Sequence, residues 1–224
     1  MVQLAKARLR DGNDRHGSDG GQQSHRTHLL RKQLISTGLN LFCKKGFDNT
    51  TVEEIASAVG VSSRTVFRHF ATKEDLVFPY ETHKHTLELL RSAPSYVSMA
   101  RALPDTLIAI GRLHDAHRQE VRKRMQMIFD TPVLTARLYY EFAVFQKSVD
   151  DFAKSREKGL SPKEAFLLSV HNASAIAAYH VAVRKWAMEC KGGQFSPWLA
   201  TALAAVSDQN SGLGILQRPR IVSG

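Results

Sequence analysis

The stretch "VGVSSRTVFRHFATKEDL", Val59–Leu76, decides the fold. Between Gly60 and Ala71 it carries Arg64, Thr65, Arg68 and His69 among Val66, Phe67 and Phe70. On a helix turning about 100° per residue, Val66 and Phe70 share one face and Phe67 sits at its edge. Arg64, Thr65, Arg68 and His69 fill the opposite arc. A helix this short does not stand alone in water. Its apolar face must therefore pack on a neighbour, and its polar arc must point outward.

The neighbour lies just upstream. "TTVEEIASAVG" predicts a short helix, with Thr51 and Glu54 at capping-box spacing, Ile55 and Val59 as an apolar i, i+4 pair, and Gly60 as the left-handed stop. Ser62 is the expected N-cap of the next helix, which runs to Phe70. Two short helices joined by a glycine-containing turn, the second presenting Arg, Thr, Arg and His, form a helix-turn-helix. Arginine can donate two parallel bonds to guanine, and threonine can meet a thymine methyl or a phosphate. Arg64 and Arg68 are one helical turn apart, so both can reach the same groove.

Apolar residues at three- and four-residue steps predict a helix from His28 to Lys45, stopped by Gly46. Residues 1–27 are expected as a mobile basic arm, with Arg8, Arg10 and Arg15 placed for phosphates or a minor groove. After Ala71, Thr72 and Asp75 repeat the capping spacing, and "KEDLVFPYETHKHTLELL" is expected as one helix in which Pro79 makes a kink or marks the early turns. Helices follow over Leu103–His117, Arg118–Phe129 and Val133–Lys158. Ser161-Pro162 and Ser196-Pro197 open two more, reaching about Cys190 and Asp208. The fold class is all-α: a helix-turn-helix domain over 28–88 with its motif at 51–70, a larger helical domain over 89–209, and a tail over 210–224.

Composition narrows the partners. The chain of 224 residues has a net charge of +10 and a pI near 9.8, which favours polyanions. The excess is not concentrated in the helix-turn-helix half. Residues 1–90 hold 13 basic and 10 acidic residues, and the remainder holds 18 and 11. A DNA reading therefore rests on geometry rather than net charge. Cys43 and Cys190 make neither a disulfide framework nor a zinc spacing. The first residues have no apolar core of a signal peptide, and no apolar run of membrane-spanning length is expected. A cytoplasmic protein follows as the expectation.

"LISTGLNLFCKKGFDNTTVEEIASAVGVSSRTVFRHFATKEDLV" resembles the DNA-binding domain of TetR-family transcriptional regulators. The resemblance covers about residues 28–88 through its L-F-x-x-x-G-F-x-x-T-T, T-V-x-x-I-A-x-x-x-G-V-S, T-V-F-R-H-F and K-E-D-L blocks. It implies that Ser63, Arg64, Thr65 and Arg68 reach bases, while Thr51, His69 and Lys73 meet phosphates. Phe67 stands where the family often has Tyr, so a hydroxyl contact is lost and the ring is left for a sugar or a thymine methyl. The resemblance further implies a homodimer on a palindromic double-stranded DNA operator, a repressor released by a small-molecule effector, and no membrane partner.

In the second half, the resemblance implies dimerisation through the last two helices, where Trp186, Trp198, Leu199, Leu203 and Val206 are the large apolar candidates. Candidate effector contacts are His114, Tyr139, Phe142, Phe145, Gln146, Asn172 and Tyr179, polar groups amid apolar ones. The basic run Arg118–Arg124 is a further anion attractor. His83-x-His85 has the wrong spacing for one helix face, and His114-x-x-His117 lacks further ligands beyond Asp115, so no metal and no cofactor is expected. No acid–base constellation suggests an enzyme. The rival readings are a ligand-independent architectural DNA binder and a helical metal-dependent enzyme.

Overall fold

The computed structural model describes residues 18–78, 81–190 and 192–210, with side chains over 25–78, 83–190 and 192–207. Among these, every regular element is helical. The first helix, α1, spans Ser18–Lys45. It begins well before the expected His28 and takes residues 18–27 of the expected arm into helix. Arg8, Arg10 and Arg15 lie outside the described residues, as does the tail beyond 210.

The two short helices form as the sequence dictates. In α2, Val52–Val59, the Thr51 hydroxyl accepts the Glu54 N–H and the Glu54 carboxylate accepts the Thr51 N–H, both at 3.1 Å. Gly60 then stops the helix at φ +78°, a conformation a Cβ would strain. In α3, Ser63–His69, the Ser62 hydroxyl caps the Thr65 N–H at 3.2 Å. Val66 and Phe70 are buried with Leu34, Phe42, Ile55 and Leu76 in the core of this head. The helix expected from Lys73 onward is instead divided. A single 3-10 turn, Glu74–Leu76, comes first, and α4 follows as Glu81–Ser92, with Pro79 outside the described residues. Asp75 accepts the Thr72 N–H at 2.9 Å, closing a local turn. Phe78 precedes a proline and is biased away from the helical region.

The body comprises α5 (Met99–Ala116), α6 (Arg118–Asp130), α7 (Pro132–Arg156), α8 (Pro162–Met188) and α9 (Ser196–Asn210). Its core gathers Leu103, Val149, Ile176, Trp186, Phe195 and Leu199. Helix α4 belongs with it, because Leu90 is buried in the same cluster. The boundary expected at residue 88 thus falls inside a helix. By length and composition α8 could cross a membrane, against the expectation of no such run. Here it is a core helix, packed on α5, α6, α7 and α9.

Three side chains fix the order of the body. Pro104 sits inside α5 and has no N–H for the Ala100 carbonyl, four residues back. His171 of α8 bonds that carbonyl at 2.9 Å and pins the two helices in register. Asp115, at the end of α5, accepts the N–H groups of both Phe195 and Ser196 and so caps α9. Gly111 lets α9 come close, since a Cβ there would meet Leu199 at 3.0 Å.

This packing corrects the expected dimer residues. Trp186, Leu199 and Leu203 are buried in the subunit's own core. Trp186 also donates to the Gly193 carbonyl at 3.1 Å. Val206 is partly buried on the same cluster, and Trp198 stays 42% exposed. Leu203→Ala should therefore cost about 2–5 kcal/mol, as core truncations do. Urea denaturation checks it, and a loss below about 0.5 kcal/mol would contradict the burial.

Candidate nucleic-acid interface and interior cavity

Helix α3 is held from behind. Arg31 of α1 donates to the His69 carbonyl at 2.5 Å, and its guanidinium lies 4.5 Å from the Phe70 ring centroid. This grip and the buried Val66 and Phe70 orient the outer arc. Arg64 and Arg68 are exposed, and Phe67 is 50% exposed beside them. An aromatic ring left in water on a charged face is available to a partner's apolar edge. Ser63 and Thr65 are half-buried, with the Thr65 hydroxyl 3.0 Å from that of Ser62. Thr51 is exposed at the start of α2, its hydroxyl already accepting the Glu54 N–H.

Two expected phosphate contacts meet a different geometry. Lys73 reaches inward: its ammonium donates to the carbonyls of Phe47 at 2.8 Å and Thr50 at 3.1 Å, and stands 4.1 Å from the Phe47 ring centroid. It ties the loop before α2 to the turn after α3, and no α-helical first turn surrounds it. The Nε2 of His69 is enclosed and without a hydrogen-bond partner among the described residues. Burial, aided by Arg68 and Arg31, lowers its pKa below the ordinary histidine value.

A cavity of about 430 Å³ lies where the head meets the body. Its walls come from α4 to α8 and from Val77 and Phe78, just beyond the 3-10 turn. Of the expected effector residues, His114, Phe142, Phe145 and Tyr179 line it, whereas Tyr139, Gln146 and Asn172 do not. Tyr139 is half exposed, edge-on to His180 at 4.9 Å. Asn172 is fully buried and donates to Asp150 at 3.1 Å. Sequence reasoning missed His83 and Glu141 as lining groups, and Arg124 was visible only as part of a basic run. For Glu141 a signal existed: Arg137 and Glu141 are an i, i+4 pair on α7.

The polar lining is ordered. Glu141 accepts from Arg137 at 2.7 Å and lies 3.5 Å from His83. Arg137 in turn reaches Asp75 at 3.3 Å, and Asp75 caps the turn after α3. A chain of polar contacts thus runs from the cavity wall to the base of the outward helix. Ile128 and Leu138 join the same two regions through apolar contact, because they both line the cavity and belong to the head's core. His114 stacks on Phe195 and sits 3.3 Å from the Tyr179 hydroxyl. Burial, with a contribution from Arg124, drives its pKa down to about 4. Among the described residues no group of three or more His, Cys, Asp or Glu could hold a metal.

An outward-facing helix-turn-helix on a helical, cavity-bearing body defines the class of one-chain bacterial regulators. Sequence comparison agrees at both ends. Residues 34–78 match the family model of bacterial regulatory proteins of the tetR family, and residues 97–210, half of the chain, match that of the MftR C-terminal domain. The chain belongs to the tetR family of bacterial regulatory proteins.

Among similar proteins, "Putative mycofactocin biosynthesis transcriptional regulator MftR" of Mycobacterium tuberculosis is 31% identical over 56% of this chain. "HTH-type transcriptional regulator TcmR" of Streptomyces glaucescens is 34% identical over 52% of it. The matches span 65% and 55% of those relatives, less than two thirds of either. The fatty acid degradation regulator FadR from Bacillus halodurans shares the fold, with a TM-score of 0.55 and 16% identity over 79% of this chain and 94% of that one. So does a transcriptional regulator from Aquifex aeolicus, with a TM-score of 0.53 and 15% identity over 80% of this chain and 99% of that one.

His114 makes stability depend on pH. Its folded pKa of about 4 lies below the ordinary 6.5, so the unfolded chain binds a proton that the native chain refuses. The contribution is whole above pH 6.5 and is lost as pH falls toward 4, up to about 3 kcal/mol. His83 and His180 shift the same way through burial. Urea midpoints should fall across this window, and His114→Gln should make the fall shallower. An unchanged slope in the variant would refute the assignment.

Proposed function

We propose that the chain is a ligand-responsive DNA-binding transcriptional regulator, a repressor that leaves its operator when a small molecule enters the cavity. The observation that carries this reading is the split of α3: Val66 and Phe70 buried, Arg64, Phe67 and Arg68 presented. Such a helix fits a major groove, with the arginines donating to guanine edges and the Phe67 ring against a sugar or thymine methyl. Thr51 serves the phosphates. Lys73 and His69 act instead as internal supports of the helix that reads the DNA. A protein of this kind works in the cytoplasm.

The active form is a homodimer on a palindromic site. Two copies of α3 must reach successive major grooves, about 34 Å apart. The face of α8 that looks away from the subunit core carries Phe166, 66% exposed, Val170, Val181, 64% exposed, and Met188. These stand at helical spacing, with Trp198 of α9 exposed as well. This stripe, rather than the buried Trp186, Leu199 and Leu203, is the surface a second copy covers.

The cavity supplies the switch. Val77 and Phe78 of the head form part of its wall, and Ile128 and Leu138 serve both cavity and head core. A ligand that fits better when this seat has shifted favours a head spacing that does not match the operator. Tenfold release requires about 1.4 kcal/mol of such preference.

Arg64→Ala and Arg68→Ala should each weaken operator binding by about 1–3 kcal/mol at fixed salt while changing random-DNA binding far less. Equal losses on both DNAs would overturn the base-reading role. Val181→Glu should shift the protein from dimer to monomer in sedimentation and remove operator binding with it. A dimer that survives the charge would place the interface elsewhere.

A further inference from the structure

Arg124 is a charged group on the cavity wall whose chemistry the proposed function does not yet use. It projects from α6 among apolar neighbours such as Val121, Met125 and Ile128. Its side chain is only 22% exposed. Its Nε–H is buried and has no hydrogen-bond partner among the described residues. The nearest carboxylate, Glu120, is 3.7 Å away but 69% exposed, so water screens most of its charge. Cys43 of α1 and His114 of α5 are the other titratable groups within electrostatic reach. Burial lowers the pKa of the guanidinium, which reports a cation with too little compensation.

The other carboxylates and imidazoles on the wall are Glu120 and His117, at the start of α6, together with Glu141, His83 and His114. Glu141 is neutralised by Arg137 and adjoined by His83. His114 is held neutral by burial and lies 3.3 Å from the Tyr179 hydroxyl, so it adds no charge to the wall. The cavity of about 430 Å³ therefore offers one mostly buried cation, whose nearest carboxylate, Glu120 on the same wall, is turned largely to water. A planar guanidinium suits a carboxylate, whose two oxygens match its fork. A phosphate dianion would need a second cation, and an organic cation would face Arg124 unpaired.

We propose that the effector of this cavity is a compact apolar monocarboxylate whose acid group pairs with Arg124. This rests on reading the cavity as the effector site. The carboxylate supplies the missing anion, and the apolar body fills the chamber between Phe142, Phe145 and Ile176. Because α6 packs on α1, drawing the Arg124 head toward a ligand acts on the seat of the DNA-binding head.

The test uses the full chain and paired probes: 5-phenylpentanoate and 1-naphthylacetate, each beside its methyl ester. Binding is measured by calorimetry at pH 7.5, and release by operator mobility shift. Wild-type protein should bind each acid at least about tenfold tighter than its ester, a gap of about 1.4 kcal/mol. Arg124→Met keeps the packing of the stem and should close that gap to within about twofold, through loss of acid binding with ester binding unchanged. Removing an undercompensated buried charge should leave the melting temperature equal or higher, so the variant remains informative. Arg124→Lys, with the charge but not the fork, should fall between. Esters that bind as well as acids, or a gap that persists in Arg124→Met, overturn the proposal. If esters bind and release operator without any preference for acids, the effector reading stands and the carboxylate falls. If neither acid nor ester binds, the carboxylate proposal falls, while release of the operator by other ligands tests the effector reading separately.

Discussion

The head of this protein is too small to bury its own apolar surface. Its short helices and the inner face of α1 close over Phe42, Ile55, Val66 and Phe70, and the gap that remains is filled by Ile128, Leu134 and Leu138 from α6 and α7. A domain of such size buries a low fraction of its surface when alone. Sharing a core answers that shortage, and it also removes the independence of the two parts. Any shift of α6 against α7 is felt as a change in packing beneath α3. Close-packed interiors pass on displacement because they have little space to absorb it.

The polar contacts follow the same joint. Asp75 caps the turn behind α3, Arg137 holds Asp75, and Glu141 holds Arg137 while facing the cavity beside His83. Two stretches distant in the chain, residues 75–83 and α7, therefore meet within one run of polar contacts. Lys73, at the same turn, fastens the other side by reaching the carbonyls ahead of α2. The DNA-facing helix is thus fixed from below by apolar contact, from one side by a lysine, and from the other by a chain that ends at the cavity.

Local chemistry made the head readable from its residues. Thr51 with Glu54, Gly60 and Ser62 each act over a few bonds, and α2 and α3 start and stop where they direct. The paired Ser-Pro starts of α8 and α9 were equally legible. The break after the 3-10 turn was not, because the capping spacing at Thr72 and Asp75 looks the same whether the helix continues or closes. The cavity was half legible. Phe142, Phe145, His114 and Tyr179 sit at helical steps that face inward, but which helix lies opposite depends on tertiary packing. Trp186, Leu199 and Leu203 show the cost of that gap. Their size identified them as residues needing cover, and only the fold decided that the cover comes from α5, α8 and the segment entering α9 of the same subunit.

The contact between His171 and the Ala100 carbonyl couples two distant positions. Proline at 104 leaves that carbonyl without its helical partner, and the imidazole supplies one from across the bundle. An ordinary residue at 104 would offer that oxygen a second donor beside the imidazole, since a carbonyl has two lone pairs. With proline there, losing the ring would leave the oxygen bare in a dry interior. The cost of losing the ring therefore depends on which residue stands at 104. Positions 104 and 171, on different helices and far apart in the chain, should be non-additive in their effect on stability.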